Sequence, residues 1–100
     1  MESVYPNVNE VSINRCVAYY LMSSYLYYKK DKHVLSDTDF DIICKRLVDE
    51  WDTCDHIHKK FLDKGALKAG TGHTNEYNNR IIGGAEYWYN AYEKEIKNVL

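Results

Sequence analysis

Residues 27–41 have the sequence YYKKDKHVLSDTDFD, and they separate two segments whose apolar residues recur at helical spacing. Ser36 is a good helix N-cap because its hydroxyl accepts a backbone N–H that the helix leaves unpaired. Asp37 and Asp39 follow in the first turn, where negative charge is favourable at the positive end of the helix dipole. The connector from Lys30 to Leu35 is short and polar. The stretch therefore predicts an antiparallel helical hairpin.

Both helices of this hairpin carry one apolar face, which is typical of helices that pack against a core. We expect the first helix to span roughly residues 10–29, with Asn9 as its cap and Glu10 in its first turn. The second is expected to begin after Ser36 and to reach Trp51. The faces are formed by Ile13, Val17, Tyr20, Ser24 and Tyr27 in the first helix, and by Phe40, Ile43, Cys44, Leu47, Val48 and Trp51 in the second.

The hairpin is part of a helical region, residues 10–63, in which Asp52 or Thr53 either caps a third helix or continues the second with a kink. Residues 1–9 hold the only proline and form an irregular lead-in. A third helix, with Cys54 and Phe61 on its apolar side, is expected to end at Gly65. One hundred residues are too few for two independent cores. We therefore expect a single all-α domain.

All five glycines lie between residues 64 and 84, where helical periodicity is weak. We predict a glycine-rich loop over residues 64–84, with a turn of helix or a short hairpin around residues 77–82. A last helix is expected over residues 85–99, where aromatic and aliphatic residues again share one side. A loop of this length inside a small domain usually has a function or hides an element.

Charge and composition disfavour several classes of protein. The net charge is −2, and the sequence pI is about 6.0. The lysine clusters at residues 29–33 and 58–60 are diluted by acids, so we expect no direct binding of nucleic acid. No apolar stretch is long enough to span a membrane, and no leader is evident. The three cysteines fit reduced thiols, so we expect a cytoplasmic location and no membrane partner.

The chain has ten tyrosines but only two phenylalanines. Tyrosine combines a flat apolar face with a polar tip, which suits a surface that binds a flat, partly hydrated ligand. The alternative is a small core that is finished with amphipathic rings. Composition alone leaves both interpretations open.

The stretch from Tyr27 to Asp41 resembles the start of bacterial NAD-dependent DNA ligases. In that family a helix ends in an aromatic pair, a short turn with an acid follows, and the next helix opens with Ser/Pro-Asp-x-x-Tyr-Asp. Leu47 and Trp51 fall where the family continues with an apolar helix. The resemblance covers the turn and extends at most over the hairpin. It is to the N-terminal domain of those enzymes, which binds the nicotinamide mononucleotide half of NAD.

The resemblance implies that this chain binds NAD or nicotinamide mononucleotide. Tyr27 matches the tyrosine that lies against the nicotinamide ring, whereas Tyr28 stands where the family has histidine. Phe40 replaces a tyrosine and lacks its hydroxyl. The implied nucleotide-binding residues are Tyr27, Tyr28, Asp31, Asp37, Phe40 and Asp41.

These residue types suit the ligand physically. The nicotinamide ring of NAD is flat and positively charged, so an aromatic face attracts it by about 0.5–2 kcal/mol. Asp37 and Asp41 lie one helical turn apart, and their carboxylates accept ribose hydroxyls or stabilise the cationic ring. The alternative interpretation makes Asp37 a favourable first-turn charge, Asp41 a solvated residue and Tyr27 part of the core.

The ligase reaction itself is not expected of this chain. It needs a nucleophilic lysine in a Lys-x-Asp-Gly motif, which the sequence lacks. We therefore expect a non-catalytic module. The glycines Gly70 and Gly72, together with Arg80, are candidate phosphate contacts in a flexible loop. Cys54, His58 and His73 lack the spacing of a zinc site, so no metal is expected.

A second hypothesis belongs to a different class of function. A small helical protein with exposed tyrosines can act by docking on a protein partner or by inhibiting one. Small, mildly acidic, tyrosine-rich chains are similar in style to accessory proteins of bacteriophages, which act in the host cytoplasm. Under this hypothesis the ligase-like hairpin is only a scaffold.

Overall fold

The computed structural model describes residues 4–54, 62, 64–69 and 77–99. These residues form four α-helices and one 3₁₀ turn, and none of them lies in a β-strand. The prediction of an all-α fold is confirmed. The helices are α1 (Ile13–Lys30), α2 (Asp37–Asp49), α3 (Lys64–Ala69) and α4 (Asn79–Val99), and the 3₁₀ turn is Trp51–Thr53.

The first two helices form the predicted hairpin, and α1 is also the helix against which α4 packs. The ring of Tyr20 on α1 stacks on that of Phe40 on α2, with centroids 5.5 Å apart. Ser36 caps α2 as expected, because its hydroxyl accepts the backbone N–H of Asp39 at 3.1 Å. The short connector after α1 therefore returns the chain along the side of the same helix.

Asp31 ends α1 in the left-handed backbone conformation, with φ 53° and ψ 45°. It is the only non-glycine residue with positive φ in the described part of the chain. The backbone N–H of Lys32 donates to the carbonyl of Leu26 at 2.9 Å, which satisfies one of the last carbonyls of the helix. This arrangement turns the connector back towards α2.

Helix α1 begins at Ile13, later than predicted, and its cap is Ser12 instead of Asn9. The backbone N–H groups of Glu10 and Val11 both donate to the carbonyl of Asn7 at 3.0 Å. Asn9 therefore lies inside a turn, where it cannot cap the helix. The prediction was wrong because the turn and the helix compete for the same backbone donors.

The long C-terminal helix, α4, begins at Asn79 and not at residue 85. The side-chain oxygen of Asn78 accepts the backbone N–H of Ile81 at 2.9 Å and so caps the helix. Gly83 and Gly84 are helical. A Cβ at Gly84 would lie 3.4 Å from Sδ of Met22, at the lower limit of ordinary van der Waals contact, so this part of α4 lies against α1.

Part of the predicted glycine-rich loop is thus helical. Besides the start of α4, helix α3 occupies residues 64–69 and packs on α2. Gly65 lies inside this helix instead of ending an earlier one. Most of the predicted third helix lies outside the described residues. The centre of the predicted loop, residues 70–76, lies wholly outside them.

The irregular lead-in is tied to both α2 and α4. Nη1 of Arg46 donates to the carbonyls of Val8 and Val11, at 3.1 and 2.6 Å. The indole N–H of Trp88 donates to the carbonyl of Val4 at 2.8 Å. The segment from Val4 to Val11 therefore bridges helices that are distant in sequence.

The core lies where α1 is enclosed by α2, α4 and the lead-in. Cys16, Cys44 and Cys54 are buried and unpaired. None of the described helices combines the length and apolar character needed to span a membrane. The largest fully buried side chains are Tyr20, Leu21, Leu26, Ile43, Leu47 and Leu67.

Candidate functional site

A cleft of about 210 Å³ lies where the end of α1, the connector and the start of α2 meet. It brings together all of the residues implied by the ligase resemblance except Asp31. Its lining is formed by Ser23, Tyr27, Tyr28, Lys32, His33, Val34, Leu35, Asp37, Phe40 and Asp41.

Two tyrosines from the last turns of α1 form the aromatic side of the cleft. Tyr27 is 46% exposed and Tyr28 is 37% exposed. Their rings meet edge to face, with centroids 4.7 Å apart and planes at 85°. The alternative in which Tyr27 belongs to the core is therefore excluded. Nearly half of this residue faces solvent, so its ring is accessible to a ligand.

His33, which the sequence did not single out, also contacts Tyr27. The two ring centroids are 4.8 Å apart, with planes at 63°. Tyr28 and His33 together restrict the orientation of the Tyr27 ring. In the sequence, only the position of His33 in the connector pointed to this contact. The backbone turn at Asp31 brings His33 next to Tyr27.

Two carboxylates from α2 form the acidic side of the cleft. Asp37 is the first residue of α2 and Asp41 follows one turn later, so both face the cleft while remaining exposed. Asp39 lies between them in sequence but accepts a hydrogen bond from the Tyr5 hydroxyl. Within the described part of the chain, neither Asp37 nor Asp41 forms an ion pair. Their charge is thus available to a cationic ligand.

Apart from Lys32, the remaining lining is apolar except for the hydroxyl of Ser23. Phe40 is half-buried and stacks on Tyr20, so it presents a flat apolar surface. Val34 and Leu35 are buried. The hydroxyl of Ser23 is buried and has no hydrogen-bond partner among the described residues. An unpartnered hydroxyl is unusual in a protein interior, and this one belongs to a residue of the cleft.

Asp31 does not line the cleft. It is exposed, and its left-handed conformation ends α1 and directs the connector. Its place in the motif is thus accounted for by the shape of the turn. Arg80 lies in the first turn of α4, is exposed and does not line the cleft either. Gly70 and Gly72 lie outside the described residues.

A second cleft, also of about 210 Å³, shares the lining residue Lys32 with the first. It lies between the end of α1 and the middle of α4, and no sequence pattern indicated it. Nζ of Lys32 sits over the ring of Tyr89, 4.6 Å from its centroid. The lining is formed by Leu26, Lys30, Lys32, Glu86, Tyr89 and Asn90.

Both clefts carry charges of both signs. Asp37 and Asp41 line the first cleft and Glu86 lines the second, whereas Lys30 lines the second and Lys32 lines both. A ligand that extends through both would meet the ammonium group of Lys32 where the two linings share a residue. In the described part of the chain, no group of three or more His, Cys, Asp or Glu side chains is arranged to hold a metal ion.

No family model, curated protein or solved structure matches the chain. The resemblance to the ligase domain is therefore carried by the residues from Tyr27 to Asp41 alone.

Proposed function

We propose that the chain is a non-catalytic module that binds NAD or nicotinamide mononucleotide, with the nicotinamide ring in the first cleft. The observation that carries the proposal is the meeting of an exposed tyrosine, Tyr27, with the exposed carboxylates of Asp37 and Asp41 around one cavity. These residues come from two helices and meet only because the hairpin closes.

The chemistry of the cleft is complementary to a nicotinamide nucleoside. An aromatic face attracts the cationic ring by about 0.5–2 kcal/mol. Carboxylates beside the ring stabilise its charge and accept hydrogen bonds from ribose hydroxyls. Phe40 and Leu35 supply apolar contact. Tyr28, in place of the family's histidine, adds a second aromatic ring to the same wall.

We assign binding and not catalysis to the module because the chain lacks the Lys-x-Asp-Gly motif that forms the ligase's covalent intermediate. Its three cysteines are unpaired and buried. Such thiols are typical of a reducing compartment, so we place the module in the cytoplasm.

The test is a titration with nicotinamide mononucleotide and NAD, followed by backbone amide NMR. We expect shifts confined to the end of α1, the connector and the start of α2. Tyr27→Leu should weaken binding roughly fivefold or more, since it removes the aromatic face. Tyr87→Leu is the matched control, because Tyr87 is 79% exposed on α4 and lines neither cleft.

The outcome that ends the proposal is an unchanged spectrum at millimolar concentration of both ligands. Equal loss of affinity in the Tyr27 and Tyr87 variants would also contradict it. Both substitutions are at exposed positions, so circular dichroism should show native helix content in each.

A protein-binding function is the second candidate, favoured by the exposure of large apolar side chains on α4. Tyr87 is 79% exposed and Ile96 is 39% exposed. Exposed aromatic residues of this kind are common anchors in protein interfaces. Under this hypothesis Tyr87→Leu, and not Tyr27→Leu, impairs the activity of the protein in its cell of origin.

A further inference from the structure

The first cleft is too small for a whole dinucleotide. Its volume is about 210 Å³, whereas sites for small molecules and cofactors usually measure roughly 300–1,000 Å³. The second cleft has the same volume. The two together, and neither one alone, reach the size of an ordinary cofactor site.

Lys32 is the residue that the two clefts share. Its side chain lines both of them, and Lys30 lines the second. Ammonium groups are ordinary binding partners of phosphate oxygens. Lys32, which the two linings share, and Lys30 beside it in the second cleft therefore place positive charge where the pyrophosphate of a dinucleotide would pass.

Tyr89 supplies a flat surface in the second cleft. Nζ of Lys32 lies over one face of its ring, 4.6 Å from the centroid, so a ligand stacks on this face only when Lys32 moves off it. The pKa of Tyr89 is raised, mainly by a hydrogen bond with the side chain of Glu93. Asn90 and Glu86 add polar groups at the rim. An aromatic face with polar groups around it is a common binding surface for a purine.

We infer that the two clefts form one groove for an intact dinucleotide, in which the adenine ring stacks on Tyr89 and Lys32 leaves that ring to contact the pyrophosphate. The inference rests on the proposed function, because the nicotinamide end is placed in the first cleft. It adds a second binding surface, on α4, that lies outside the segment resembling the ligase domain. The preferred ligand is therefore NAD and not the mononucleotide.

Calorimetric titration of the full chain with NAD, nicotinamide mononucleotide and AMP tests this inference. The wild-type protein should bind NAD roughly tenfold more tightly than the mononucleotide, since stacking of a base on an aromatic ring has about that effect. In backbone NMR, NAD should shift the amide signals of residues 86–90, whereas the mononucleotide should leave them unchanged. Tyr89→Leu should abolish the preference and leave the affinity for the mononucleotide unchanged.

Asn90→Glu is the second variant, because Asn90 is exposed and its replacement leaves the core intact. A carboxylate there repels the phosphates of NAD, and Asn90 lines the second cleft but not the first, so the binding of NAD should weaken more than that of the mononucleotide. Tyr87→Leu, on the outer surface of the same helix, should change neither affinity. These two variants separate an effect of the groove from a general loss of folding.

The possible failures are distinguishable. Equal affinity of wild-type protein for NAD and the mononucleotide overturns the inference and leaves the proposed function standing. Equal weakening of both ligands by Tyr89→Leu and by Asn90→Glu also overturns it. If neither nicotinamide compound binds, the proposed function fails and the inference fails with it, even if AMP binds.

Discussion

Asp39 and Asp41 lie two positions apart on α2 but have different surroundings. Asp39 accepts the Tyr5 hydroxyl, and the pKa of Tyr5 is raised first by burial and then by this hydrogen bond. Asp41 instead faces the cleft, close to the buried thiol of Cys44. Burial is the main reason that the pKa of Cys44 rises to about 12, and the negative charge of Asp41 adds to it. A run of alternating acids thus divides into one structural carboxylate and the two that face the cleft.

The thiol of Cys44 gives a pH-dependent prediction. Its ordinary pKa is 9.0 and its pKa in the folded protein is about 12, so the unfolded chain loses this proton first. Folding is therefore favoured below pH 9 and loses stability as the pH rises towards 12, at roughly 1.4 kcal/mol per pH unit. Cys44→Ala removes this contribution. Urea unfolding between pH 8 and pH 11 should show a steeper loss of stability in the wild-type protein. Parallel losses would contradict the assignment.

The sequence predicted which acids and aromatic residues line the first cleft, because they belong to one motif with fixed spacing. These residues are Tyr27, Tyr28, Asp37, Phe40 and Asp41. It did not predict His33 or Lys32. These side chains lie in the connector, and their direction depends on a backbone conformation that no periodicity encodes. The second cleft depends on contact between α1 and α4, so local patterns carry no trace of it.

At the scale of elements, the pair Gly83 and Gly84 explains why α4 was predicted to begin too late. Two adjacent glycines weaken a helix by about 1 kcal/mol each and are therefore typical of loops. The packing of α4 on α1, together with the cap at Asn78, favours the helix here. Helix α2 and most of α1, whose apolar faces are uninterrupted, were predicted well. The start of α4 was missed because tertiary packing outweighs local preference, whereas the start of α1 was missed because of the local turn at Asn7.

The same two glycines give a prediction with an internal control. A Cβ at Gly83 would meet nothing within 4 Å, whereas one at Gly84 would lie 3.4 Å from Sδ of Met22. Gly83→Ala should raise the free energy of unfolding by about 0.5–1 kcal/mol, because alanine loses less backbone entropy in a helix. Gly84→Ala should gain less, because its Cβ would meet Sδ of Met22 at the lower limit of ordinary van der Waals contact. A larger gain at Gly84 in urea unfolding would contradict this packing.

At the scale of the whole molecule, the lead-in connects parts of the fold that the helices leave separate. The hydroxyl of Tyr5 contacts the start of α2, where it also accepts the backbone N–H of Ser36 at 3.1 Å. The backbone N–H of Val4 donates to Glu95 on α4 at 2.9 Å. The lead-in thus holds the start of α2, which carries the cleft acids, in a fixed relation to α4, which carries Tyr89. A groove formed from both helices requires such a connection.

Arg46 binds the C-terminal end of the lead-in through the carbonyls of Val8 and Val11. Its replacement tests how much these contacts stabilise the fold. Arg46→Met keeps most of the aliphatic stem but removes the donor to the carbonyls of Val8 and Val11. Loss of a charged donor to these partly buried carbonyls, together with the exposed ion pair to Glu50, should cost about 1–3 kcal/mol in the free energy of unfolding. Lys45→Met, at an exposed neighbouring position, should change it by less than about 0.5 kcal/mol.

Backbone NMR should show the shifts of Arg46→Met near residues 8–11, with the amides around Tyr27 unchanged, because the cleft lies at the opposite end of the hairpin. If the two variants are equally stable in urea, the lead-in is held by its other contacts and Arg46 is dispensable to the fold.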